Sequence, residues 1–188
     1  MIISHLHKYA FFHAPKCAGT SISVNLAKHT GDADIVTPHS HIPHSDHDWN
    51  EVKGKNRGRH STHTKPIECV FPESYLKISI KRNPWDQVVS YWFWAKRPTD
   101  NFTDFVKRGS FLDTRDYWTG MDYYIDFHRL EESYKELCKF IGIPYERLPR
   151  TKTKNRPTRD YRSFYTEETK EIVGDFYQDA IKQFNYNF

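Results

Sequence analysis

Cysteine, methionine and glycine are scarce, at three, two and eight of 188 residues. No apolar run approaches the roughly 18 residues that a membrane-spanning helix needs. The cysteines, Cys17, Cys69 and Cys138, are scattered and odd in number, which excludes a disulfide framework. The segment MIISHLHKYAFFHAPK lacks the uninterrupted apolar stretch and small-residue cleavage site of a signal peptide. These absences predict a soluble, reduced, cytoplasmic protein with no membrane partner. Repeats, low-complexity tracts and composition shifts are absent too. At about 150 residues per domain, residues 1–188 are expected to form a single domain.

What the chain does carry is aromatic residues: 13 Phe, 12 Tyr and 5 Trp make up 16% of it. Mean hydropathy is only −0.82, yet so many large rings argue for a packed globule over disorder. The formal net charge of +4 is unevenly spread. Residues 53–65 hold Lys53, Lys55, Arg57, Arg59 and Lys65 with no acid. Residues 147–162 hold Arg147, Arg150, Lys152, Lys154, Arg156, Arg159 and Arg162 against Asp160 alone. Two basic stretches on an otherwise acidic chain suit one compact polyanion better than a nucleic-acid coat, although solvated loops have the same composition.

Short apolar runs at residues 9–13, 75–80 and 123–127 read as strands. Thr20 and Ser21 open a helix carrying Ile22 and Leu26. Pro84 stands where a helix-opening proline belongs, before an apolar helix over residues 85–96. Tyr134, Leu137, Cys138 and Ile141 keep helical spacing until Gly142 and Pro144. Ile172, Val173, Phe176, Tyr177, Ala180, Ile181 and Phe184 hold a 3.6 period that predicts one final helix, with Glu167 and Glu168 in its first turn. Residues 31–66 read mostly as loop. Alternating strands and helices predict an α/β fold with a central parallel sheet flanked by helices.

Two segments could carry chemistry. The first is His13-Ala14-Pro15-Lys16-Cys17-Ala18-Gly19-Thr20-Ser21. A phosphate at a helix N-terminus needs inward N–H groups, a residue without bulk and a cation. Gly19, Lys16 and the hydroxyls of Thr20 and Ser21 fit that need. The nucleoside-triphosphate loop, with two glycines before its Lys, is not matched. An ordinary strand-turn-helix corner would have the same residues. The second is Lys81-Arg82-Asn83-Pro84-Trp85-Asp86-Gln87-Val88-Val89-Ser90. Arg82 ends a strand, where α/β folds place ligands. Ser90 lies about 9 Å along the next helix at ~1.5 Å per residue, so the two could grip one phosphate. An exposed Arg and a Ser bonded to its own helix is the alternative.

Together these segments resemble the two nucleotide signatures of sulfotransferases that use 3′-phosphoadenosine 5′-phosphosulfate (PAPS), especially the carbohydrate sulfotransferases. The likeness extends to residues 125–131 and to Tyr161, Tyr165, Glu167, Tyr177, Asp179 and Phe184-Asn185-Tyr186-Asn187-Phe188. It is weakest over residues 31–58. The resemblance implies a phosphate-loop-like sulfotransferase fold in which Lys16, Cys17, Ala18, Gly19, Thr20 and Ser21 hold the 5′-phosphosulfate. It further implies that Arg82, Ser90, Asn155 and Arg156 hold the 3′-phosphate. Cys17 replaces a Thr common in relatives, and Pro157 follows Asn155-Arg156 where relatives often have Ser or Thr.

Sulfuryl transfer to an alcohol needs a base, and histidine is the side chain poised near neutral pH. The family places its catalytic His between the two signatures, a slot His60 fits and His63 contests. The implied reaction moves a sulfuryl group to a hydroxyl, on a carbohydrate by family leaning. It leaves adenosine 3′,5′-bisphosphate, with Lys16 neutralising the leaving group, and it requires no metal. His39, His41, His44 and His47 match no standard zinc spacing and read as a polar loop near the acceptor. Tyr and Trp in residues 117–124 read as core packing. The rival readings are a phosphate-loop kinase or other nucleotide transferase, and a non-enzymatic module binding RNA or a sulfated polymer.

Overall fold

The computed structural model describes residues 1–37, 65–95, 101–149 and 160–188. These group into two compact units, one of Met1–Lys81 with Asp116–Thr151, the other of Arg82–Arg115 with Lys152–Phe188.

The first unit carries a five-stranded mixed sheet. Its strands are β1 (Ile2–Ser4), β2 (Tyr9–Phe11), β3 (Ile35–Val36), β4 (Leu76–Lys81) and β5 (Tyr123–Asp126), in the order β3-β1-β2-β4-β5. β2, β4 and β5 run parallel, with Phe11 opposite Ile78 and Ile80 opposite Ile125. β1 is antiparallel to both β2 and β3, so the expected parallel sheet is corrected to a mixed one. The reason is connection length: only residues 5–8 separate β1 from β2, and parallel pairing needs a crossover of a dozen or more residues.

Asp34 fixes that turn. Its buried carboxylate accepts from Ser4 Oγ at 2.7 Å, from the N–H groups of His5 (2.7 Å) and Leu6 (3.2 Å), and from Gly31 N–H at 2.9 Å. Burial alone would raise its pKa, but these four donors bring it below the ordinary carboxylate value.

Helices flank the sheet. α1 (Gly19–Ala27) packs on β1, and α4 (Leu130–Ile141) packs on β5. α4 buries Ser133, Tyr134, Leu137 and Cys138 and stops at Gly142, whose φ of 73° is the left-handed cap the sequence announced. Ile2, Ile3, Tyr9, Phe11, Ile22, Leu26, Ile78, Ile80, Ile125 and Leu137 are all almost fully buried.

The second unit comprises α2 (Pro84–Ala95), α3 (Phe102–Lys107), α5 (Glu167–Phe176) and α6 (Gln178–Phe184). Pro84 does open α2, and Thr166 caps α5. The expected single final helix is two helices meeting at Tyr177, where φ is −105° and ψ 19°. The buried Tyr177 donates its hydroxyl to the Leu112 carbonyl, and Phe176 sits edge-on to Phe111 at 5.0 Å. The periodicity survives because both helices bury the same stripe; the bend comes from anchoring that stripe to residues 111–112.

Candidate functional site

β2, β4 and β5 are parallel, so their carboxyl ends emerge at one edge of the sheet. β2 leads into the loop before α1, and β4 leads directly into Arg82. The loop belongs to the first unit, Arg82 and Ser90 to the second.

After β2 the chain tightens: Ala14 N–H donates to the Phe12 carbonyl at 3.0 Å. Lys16 and Ala18 then take left-handed backbone, at φ 63° and 62°. That region costs a residue with a Cβ roughly 1–2 kcal/mol. Such strain persists where its surroundings over-determine it, and it clusters at ligand clamps. Left-handed residues in a turn aim peptide N–H groups into one concavity, the geometry of anion-binding nests.

α1 starts on Ala18 with no side-chain cap and no acid in its first turn, and all nine of its residues are buried. The leading N–H groups of a helix find no acceptor within it, and the helix dipole makes them positive. Lys16, two residues before Ala18, is half-buried. Gly19 is required on steric grounds: a Cβ there would lie 2.0 Å from His13 Cδ2 and 2.5 Å from His13 Cγ and Nε2. The buried imidazole of His13 therefore occupies the space over Gly19. Thr20 and Ser21 are buried in the first turn of α1. Cys17 is also buried, with its thiol directed to the Pro15 carbonyl at 3.4 Å.

Asn25 of α1 and Lys28, the residue that ends it, tie the helix to residues 146–147. Asn25 Nδ2 donates to the carbonyls of Glu146 and Arg147 at 3.0 and 3.2 Å, and Lys28 pairs with the Glu146 carboxylate. Asn25 is a site residue that sequence patterns did not single out; its signal was an amide between the apolar Val24 and Leu26.

In the second unit, Arg82 is buried and its Nε donates to Asp86 Oδ2 at 2.8 Å, with both side chains about 8% exposed. The alternative of an exposed strand-end arginine is thus set aside. Asn83 caps α2, its Oδ1 accepting from Trp85 N–H at 3.1 Å and Asp86 N–H at 3.5 Å. Ser90 is half-buried on the same helix. Neither Asp86 nor Asn83 had been assigned a role from sequence, although Asn before a helix-opening Pro is a capping signal.

His60, His63, Asn155, Arg156 and the His39, His41, His44, His47 cluster lie outside the described residues. So does most of both basic stretches. Tyr117 and Trp118 are buried, as core packing requires, and Trp118 Nε1 donates to the Ile80 carbonyl at 2.9 Å. Among the described residues no helix is long and apolar enough to cross a membrane.

No family model matches the chain, and no solved structure matches it. A protein of Archaeoglobus fulgidus, described as an uncharacterized protein, is 32% identical over 88 residues. That match covers 39% of this chain and 73% of the archaeal one. At that identity and coverage, the chain belongs to the same family as the archaeal protein.

Proposed function

We propose that residues 1–188 form one phosphate-loop-like sulfotransferase domain, cytoplasmic, which moves a sulfuryl group from PAPS to an acceptor hydroxyl on a carbohydrate. The observation that carries this reading is the β2–α1 corner. Left-handed Lys16 and Ala18 precede a buried helix start whose N-cap residue, Ala18, makes no side-chain hydrogen bond. Such a corner suits a compact anion with several oxygens. The order of the two signature-like segments, each following a parallel strand, favours PAPS over ATP.

PAPS supplies the activated sulfuryl group, and the chain supplies position and charge. Lys16 neutralises negative charge growing on the leaving 5′-phosphate, and the N–H groups of Cys17 to Ser21 hold its oxygens. Gly19 leaves room for the His13 ring to pack against the helix start. Arg82, oriented by Asp86, binds the 3′-phosphate with Ser90, Asn155 and Arg156. His60 takes the proton of the acceptor hydroxyl. No step in the scheme calls on a metal, and the product is adenosine 3′,5′-bisphosphate.

Thermal-shift measurements with adenosine 3′,5′-bisphosphate, ATP with magnesium, and short RNA test the reading. Selective stabilisation by the bisphosphate without metal is expected. Stabilisation by ATP only with magnesium would replace it with a kinase-like reading, and by RNA alone with a polyanion-binding module. His60→Ala is expected to cut turnover of labelled PAPS at least about a hundredfold, the usual cost of removing a base. Retained turnover would remove His60 from the mechanism.

A further inference from the structure

Residues 187–188 and Asn83 are fastened together in the second unit. Asn83 divides its amide between two tasks. Its oxygen caps α2, while its Nδ2 donates to the Asn187 carbonyl at 2.9 Å and to Tyr161 Oη at 3.2 Å. The Tyr161 hydroxyl in turn donates to the same Asn187 carbonyl over a longer 3.5 Å.

The next residue is held as firmly. The Phe188 ring meets three aromatic rings edge to face: Trp85 at 5.5 Å, Tyr161 at 5.7 Å and Tyr165 at 5.4 Å. The Lys170 ammonium lies 5.0 Å from its centre. Trp85 is itself pinned, since its carbonyl accepts from the Tyr165 hydroxyl at 2.9 Å and its Nε1 donates to the Lys170 carbonyl at 3.0 Å.

Both attachments act beside Arg82. Asn83 is its chain neighbour, and Trp85 precedes the Asp86 that orients its guanidinium. A guanidinium recognises phosphate through a rigid planar fork, so its value depends on how firmly the backbone carrying it is placed. We propose that Asn187 and Phe188 are a strap that positions Arg82 for a ribose 3′-phosphate. Phe188 and Asn83 are thus positioning residues for donor recognition. The inference rests on the PAPS reading above.

The test is isothermal titration of the full chain with adenosine 3′,5′-bisphosphate and with adenosine 5′-monophosphate, which lacks the 3′-phosphate. The variants are Phe188→Ala, Phe188→Tyr and Asn83→Ser, the last retaining a residue that can cap α2. The wild type is expected to prefer the bisphosphate. Phe188→Ala and Asn83→Ser are expected to lose about tenfold of that preference with monophosphate affinity little changed, since misplacement by about 1 Å can cost up to a hundredfold. Phe188→Tyr, which keeps the ring, is expected to retain it.

Variants with wild-type preference would overturn the strap alone. So would equal weakening of both nucleotides, which is the signature of a general structural role. A wild type without preference for the bisphosphate would overturn the donor reading and the strap with it.

Discussion

At the β2–α1 corner the helix opens on Ala18 in left-handed backbone, an N-cap residue that makes no side-chain hydrogen bond to the first turn. At the β4–α2 corner Asn83 covers the same kind of N–H groups, and Asp86 in the first turn neutralises Arg82. Both corners follow parallel strands of one sheet, and both lead into largely buried helices. They differ in what caps the helix start. At the second corner Asn83 supplies the cap and Asp86 orients the Arg82 guanidinium through its Nε. The first carries left-handed backbone at Lys16 and Ala18 and an N-cap residue without a side-chain hydrogen bond, the features on which the proposed donor site rests.

The comparison breaks most visibly in catalysis. Lys16→Ala is expected to lower turnover of PAPS at least about a hundredfold, as for loss of a charge clamp. Arg82→Ala is expected to act chiefly on the Michaelis constant for PAPS. Steady-state kinetics on the pair reads this directly, and equal effects on both constants in both variants would erase the distinction between the corners.

Gly19→Ala probes the steric half of the first corner. Its Cβ would collide with the His13 ring, and overpacking of this kind costs roughly 1–3 kcal/mol. Denaturant unfolding should show the loss, and His13→Ala in the same chain should restore part of it. Additive losses would mean the ring is not what excludes the Cβ.

The smallest effects have opposite signs. Asn83→Ala removes a cap and should cost about 0.5–2 kcal/mol. Ala18→Gly should stabilise the chain by up to about 1 kcal/mol, because glycine takes left-handed backbone without a Cβ clash. Thermal melts that move both the same way would contradict the contrast.

Much of this was legible locally. Pro84 and Gly142 mark a helix start and a helix stop by backbone restriction alone, and both stand where expected. The apolar run at residues 75–80 became β4 over Leu76–Lys81, because a short buried strand needs little beyond an apolar run. The loop segment 13–21 was found through residue types, yet its left-handed residues were not. Nothing in Lys16 or Ala18 as amino acids favours that backbone. β1 and β3 were overlooked because three and two residues carry too little pattern to register. The pairing of Arg82 with Asp86 was missed although an i,i+4 spacing permits it. Whether such a pair is a solvated surface contact or a buried clamp depends on what packs around it.

By itself, then, the sequence determined several local states: the strands β2, β4 and β5, the helix start at Pro84 and the helix stop at Gly142. These follow from backbone restriction, apolar spacing and side-chain chemistry, all short in range. The tertiary structure alone decided the pairing of β3 with β1, the bend at Tyr177 and the seat of Phe188. Each depends on partners far away in the chain: Asp34 for the β1 turn, Leu112 for Tyr177, Trp85 and Tyr161 for Phe188. Contacts between such distant residues exist only once the chain is packed, so no local pattern could have announced them.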